Sequence, residues 1–164
     1  MTMHEIIFKG KQIHSKEWIE GYYFKHDSVK TCLSSDDPKT KHLIGFDGFC
    51  DWGFEPPLQF VEIIPETLCR YTGLPDVSNQ PIFEGDVVES RASENPEDWK
   101  RWLVSWQDGA FWFSTEPKKK RKRTYCLEDT LCEDNIAFYG LVVIGNIHDN
   151  PELMKEDAHG TNGM

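Results

Sequence analysis

Trp102-Leu-Val-Ser-Trp-Gln-Asp-Gly-Ala-Phe-Trp-Phe113 carries the clearest local structure in this chain. Asp108-Gly109 is a strong two-residue hairpin signal, because both central positions of a type I′ turn need positive φ. In that register Gln107 faces Ala110, Trp106 faces Phe111, Ser105 faces Trp112 and Val104 faces Phe113. Trp102, Val104, Trp106, Phe111 and Phe113 then share one face, and Leu103, Ser105 and Trp112 share the other. The first has the apolar area of a core face, and a slip of one residue would invert it, so burial pins the register. Trp112 lies opposite that face. If exposed, it is an interaction anchor; 164 residues leave enough chain to cover it, and burial is the expectation.

Working outward, Tyr139 to Ile147 is continuously apolar and reads as a central strand. Asn150-Pro151-Glu152 reads as a helix start, with Asn as N-cap, Pro at the first position and an acid in the first turn; the helix is expected over Pro151–Glu156. Upstream of the hairpin, Ile82 to Glu89 holds a Gly85-Asp86 turn leading into Val87-Val88, as many small barrels begin. With a strand at Thr124–Leu127, the count fits a five-stranded SH3-like barrel. Toward the N-terminus, residues 5–9 and 17–24 read as two short strands, and Phe60–Ile64 as a third. Asp27–Gln59 reads as irregular, rich in turn residues but also in aromatics (Phe46, Phe49, Trp52, Phe54) that would pack. Pro65–Tyr71 fits a single helical turn or an extended run, and Tyr125–Asp134 a short helix or a loop. The expected architecture is mainly β: an irregular, β-containing lobe over 1–80, a small SH3-like β-barrel with a short C-terminal helix over 81–156, and a disordered tail over 157–164. A single integrated domain over 1–156 is the alternative.

Net charge is −10, from 18 basic and 28 acidic residues, and the average field repels nucleic acid and anionic membranes. Six of those 18 cations are consecutive: Lys118, Lys119, Lys120, Arg121, Lys122 and Arg123. The other 12 against 28 acids leave −16, so an acidic body bears one basic protrusion. The five cysteines are odd in number, lack C-x-x-C spacing and follow no apolar signal segment, which reads as reduced thiols in the cytosol. His42 with Cys50, Cys126 and Cys132 has no metal-site spacing, and no cofactor is expected. No stretch approaches the ~20 apolar residues of a membrane span.

Three motifs in order resemble the YopX family. Phe8-Lys-Gly-Lys and Glu17-Trp-Ile-Glu-Gly-Tyr-Tyr are similar to its F-R-G-K…W-V-E-G-Y opening. Pro65-Glu-Thr-Leu-Cys-Arg-Tyr-Thr-Gly-Leu-Pro-Asp through Pro81-Ile-Phe-Glu-Gly-Asp-Val-Val is similar to T-x-x-Q-[YF]-T-G-L-x-D…G-x-x-I-[YF]-E-G-D-[IV]-V. Val143-Ile-Gly-Asn-Ile-His-Asp-Asn-Pro-Glu-Leu-Met is similar to the ending V-I-G-N-I-Y-E-N-P-E-L-[LM]. Arg70 stands where Gln is common, and Ser78-Asn-Gln replaces an N-G-K-type turn. The resemblance implies a phage or prophage protein in a bacterial cytoplasm, with no established activity and no catalytic residues to carry over.

The residues themselves offer no catalytic constellation. Asp76, Glu84 and Asp86 bring carboxylates without a neighbouring His or Lys, and Asp86 is expected to hydrogen-bond its own turn. His148 and Asp149 are adjacent and point apart, with no nucleophile tied to them. Thr72-Gly73-Leu74 and Gly145-Asn146 lack phosphate-loop spacing. The expectation is therefore a non-enzymatic interaction protein, either a homo-oligomer or a binder of a host or phage protein. The alternative is nucleic-acid binding by Lys118–Arg123, with Tyr125 and Trp112 available for base stacking. Balance of that run by Glu128, Asp129, Glu133 and Asp134 is the plainer reading of it.

Overall fold

The computed structural model describes residues 6–27, 39–48, 57–91, 93–114 and 132–154. The chain is mainly β, and it divides into two compact units between Arg70 and Tyr71.

In the first unit, β1 (Phe8–Lys11), β2 (Trp18–Asp27), β3 (Thr40–Asp47) and β4 (Leu58–Glu62) form antiparallel neighbours in the order β4-β3-β2-β1. The strands alternate because the two faces differ. Ile44 on β3 is fully buried, and Ile63 and Cys69 are nearly so. Gly10 lets this core close, since a Cβ there would lie 2.8 Å from Ile63 Cδ1. A bridge between Gln12 and Ile63 ties the ends of β1 and β4. Pro65–Thr67 resolves the open sequence reading as one 3-10 turn, with extended chain after it in β5 (Cys69–Pro75). The Thr67 hydroxyl fixes the turn by donating to Ile64 O and accepting from Lys11 N. Cys69 and Arg70 pair with Lys9 and Phe8.

β3 corrects the reading of Asp27–Gln59 as irregular. Gly45 and Gly48 look like turn residues, but Gly45 sits inside the strand, paired with Tyr22 and Phe60. The third N-terminal strand spans Leu58–Glu62 instead of Phe60–Ile64. Phe49, Trp52 and Phe54 lie outside the described residues.

In the second unit, the remainder of β5 pairs with β6 (Pro81–Phe83) through Tyr71–Phe83 and Pro75–Pro81. β7 (Asp86–Ser90), β8 (Arg101–Gln107), β9 (Ala110–Ser114) and β10 (Leu141–Asn146) form a sheet in the order β10-β7-β8-β9. Ile82, Val88, Val104, Phe113 and Leu141 make its core, together with Ile136 from the helix α1 (Glu133–Tyr139). The hairpin has the expected register, and Asp108 and Gly109 take positive φ of 49° and 86°.

Four expectations change here. The Tyr139–Ile147 strand starts at Leu141, because Tyr139 closes α1 and Gly140 caps it at φ 57°, ψ 48°. Among the described residues that strand is an edge of the sheet and β7 lies inside it. The final helix is a 3-10 turn, Pro151–Met154, and residues 155–156 lie outside the described residues. Among the described residues the sheet does not close into a barrel; the strand expected at 124–127 and the tail at 157–164 fall outside them.

Candidate functional site

The carboxylates of the motif segments are structural groups. Asp86 is almost fully buried at the start of β7, where Oδ2 accepts from Phe83 N at 2.8 Å and Oδ1 accepts from Asn146 Nδ2 at 2.7 Å. Asn146 in turn accepts from His148 N through Oδ1 at 3.0 Å, so one side-chain pair ties the Gly85 turn to the chain leaving β10. Asp76 does comparable work at the sheet edge. Its Oδ1 accepts from Ser78 N and Gln80 N at 2.7 and 2.9 Å, and its Oδ2 accepts from Val143 N of β10 at 2.9 Å. Val77 N donates to Leu141 O at 3.1 Å beside it. The 75–81 loop thus covers the outer edge of β10 with a carboxylate and an amide in place of a strand. Thr72 Oγ1 donates to Ile82 O at 2.8 Å, which ties the Thr72-Gly73-Leu74 motif to the same region. Glu84 Oε1 accepts weakly from Trp106 N at 3.4 Å. Each of the three acids is held by different partners: Asp76 by Ser78, Gln80 and Val143, Asp86 by Phe83 and Asn146, and Glu84 by Trp106.

A second cluster was not visible in the sequence. Glu89 on β7 is buried, with Oε1 3.3 Å from Arg91 Nε and Oε2 3.2 Å from Arg101 Nε. Arg91 also lies 5.2 Å from the Trp99 ring centre. Glu89 and Arg101 face each other in the β7–β8 ladder, a pairing that only the register supplies. Both carboxylate oxygens are occupied, so the cluster satisfies a buried charge.

Trp112 is 8% exposed and its Nε1 donates to Gln107 O at 3.0 Å, so it is a buried side chain. Trp106, assigned to the core face, is instead 40% exposed and meets Phe111 edge-on at 4.7 Å. It sits next to the turn, past the end of β7, whose ladder with β8 reaches only Leu103. Lys118–Arg123 and Tyr125 lie outside the described residues, as do Cys32, Cys50, Cys126, Glu128 and Asp129. Tyr23 OH and His42 Nδ1 share a hydrogen bond of 2.8 Å. Among the described residues no three His, Cys, Asp or Glu side chains gather as a metal site, and no helix is long and apolar enough to cross a membrane.

The surface that stands out is on the first unit. Tyr22 and Phe24 on β2, and Leu58 and Phe60 on β4, are 44%, 42%, 53% and 50% exposed. The registers Tyr22–Gly45–Phe60 and Asp47–Leu58, with the period of two along each strand, put all four side chains on one face. Gly45 sits between them. A Cβ there would lie 2.8 Å from Phe24 Cε2 and 3.0 Å from Phe60 Cε1, so glycine lets the two rings meet edge-on at 5.2 Å. Charges surround this apolar area. Lys41 pairs with Glu62 at 3.3 Å, and the ammonium groups of Lys9 and Lys11 lie 5.2 and 5.4 Å from the Trp18 ring centre. The sequence held a signal for this face, since Trp18, Glu20, Tyr22 and Phe24 alternate with Ile19 and Tyr23. It could not show which set faces solvent without the β3 partner.

The family model for YopX protein matches residues 7–155, and the chain belongs to that family. No curated protein matches. Among solved structures, the crystal structure of protein EF1440 from Enterococcus faecalis is similar over 93% of this chain and 99% of its own, at 20% identity and a TM-score of 0.49.

Proposed function

We propose that this YopX-family protein acts through its surface, by self-association, with no chemistry of its own. The observation that carries the reading is the exposed face of Tyr22, Phe24, Leu58 and Phe60. Apolar side chains exposed singly are ordinary, but a contiguous group rimmed by charge marks an interaction site. Aromatic centres with polar rims are where binding energy concentrates. The motif acids support the same reading from the other side, since their lone pairs are spent on backbone and amide donors of their own unit. Following the family resemblance, the setting is the cytoplasm of a bacterium that carries a phage or prophage, and a host or phage protein is the other candidate partner.

Light scattering over a concentration series tests this. The wild type is expected to exceed the mass of one chain, and Tyr22→Ser/Phe24→Ser is expected to return it to 19.1 kDa with its circular dichroism unchanged. A strict monomer at high concentration counts against self-association.

The run Lys118–Arg123 supports a second reading, salt-sensitive nucleic-acid binding, because six consecutive cations can neutralise several phosphates. Binding to single- and double-stranded DNA, compared with a variant carrying neutral residues at all six positions, separates it from the first. Equal, weak binding by both proteins removes it.

A further inference from the structure

We propose that the outer edge of β4 pairs with the same strand of a second copy, antiparallel about a two-fold axis, with the two Gln59 residues opposite each other. This rests on the self-association reading above and adds to its exposed face a strand and register that extend the contact along the rim.

Over Leu58–Val61, β4 pairs among the described residues with β3 alone. Exposed edges are commonly protected by charge, proline, a bulge or a covering loop. Leu58-Gln-Phe-Val61 carries no charge and no proline, and its register with β3 runs without a bulge. The contrast within the molecule is β10, whose edge Asp76 and Val77 cover.

Two hydrogen bonds fix which backbone groups face outward. Ile63 N donates to His42 O on the β3 side at 2.9 Å, whereas Glu62 O accepts from Ile13 N on the opposite side at 3.1 Å. Alternation along the strand turns Gln59 and Val61 toward β3, and turns the N–H and C=O of Leu58 and Phe60 outward. Two two-fold antiparallel registers use these groups, placing Phe60 on Phe60, or Leu58 on Phe60 of the other copy; Leu58 on Leu58 would set Phe60 against Pro56, which has no N–H to donate. The first register also needs Glu62, whose carbonyl Ile13 already occupies. The second uses the outward groups of Leu58 and Phe60 in both copies, and no others.

Locally, charge does not oppose a second copy at this strip. Two chains of net charge −10 repel, but the strip is neutral, and Glu62, the one carboxylate of β4, is paired with Lys41 at 3.3 Å. The pairing places Leu58 across from Phe60 twice on the exposed face, so the aromatic faces of the two copies join into one.

The test is register-specific cross-linking of the full chain. Gln59 opposite Gln59 is a non-hydrogen-bonded pair, with Cα atoms about 4.5 Å apart, within reach of a disulfide. Gln59→Cys under mild oxidation is expected to run as a disulfide dimer well above the background of the native cysteines. Leu58→Cys, whose counterpart is displaced along the strand, stays at background. Leu58→Pro removes an outward N–H and no bond to β3, and is expected to weaken association about tenfold or more. Equal cross-linking at both positions overturns the proposed register. Association that survives Leu58→Pro but is lost in Tyr22→Ser/Phe24→Ser overturns the edge pairing and leaves the aromatic face standing. A wild type that stays monomeric overturns both.

Discussion

Asp86 shows how a carboxylate expected to serve its own turn is committed to the fold. Its carboxylate holds Phe83 N and the Asn146 amide in a site closed to water. Asp86→Ala removes the acceptor of both donors, at about 1–3 kcal/mol each, so urea unfolding should show a loss of roughly 3 kcal/mol. Ser105 is the opposite case: among the described residues its buried hydroxyl has no hydrogen-bond partner. Ser105→Ala is expected to be neutral or to stabilise by up to about 1 kcal/mol in the same measurement, because no interaction is lost. On the surface, the Thr40 hydroxyl donates to Asp27 at 2.6 Å and, with the charge of Lys25, holds the Asp27 carboxyl below its ordinary value of 3.8. A depressed carboxylate contributes its stabilisation above the ordinary value and loses it as pH falls through the lowered one. Thr40→Val should move the Asp27 midpoint upward toward 3.8 in an NMR titration; an unchanged midpoint would assign the shift to Lys25.

At the level of elements, legibility followed how local the determining physics is. The β8–β9 hairpin was readable to the residue because Asp108-Gly109 sets the turn and the apolar alternation sets the register. Gly109 has φ 86°, so Gly109→Val should destabilise the hairpin by about 1–3 kcal/mol, seen as faster amide exchange in β8 and β9 than in β10. β3 was not readable, since Gly45 is a strand residue only because Phe24 and Phe60 close over it from neighbouring strands. The apolar run of β10 suggests a central strand, yet among the described residues it is an edge, shielded by a loop carboxylate from 67 residues away. The same distinction holds for the sites. The role of Asp86 in its own turn was legible, while the Glu89–Arg101 pair and the exposed β2–β4 face needed the cross-strand registers.

For the molecule as a whole, the family motifs and the candidate interaction surface separate. The strongest motifs, around Asp76, Asp86 and Asn146, build the interior of the second unit. The exposed aromatic face lies on the first, on strands that carry only the weaker opening motif. On this account, substitutions in the motif acids act through stability, and substitutions at Tyr22 and Phe24 act on association with the fold intact. Sedimentation equilibrium of the wild type beside Tyr22→Ser/Phe24→Ser tests that most directly. The account predicts a wild type heavier than 19.1 kDa that dissociates with dilution, and a variant at the mass of one chain. Identical masses for the two proteins at every concentration would contradict it.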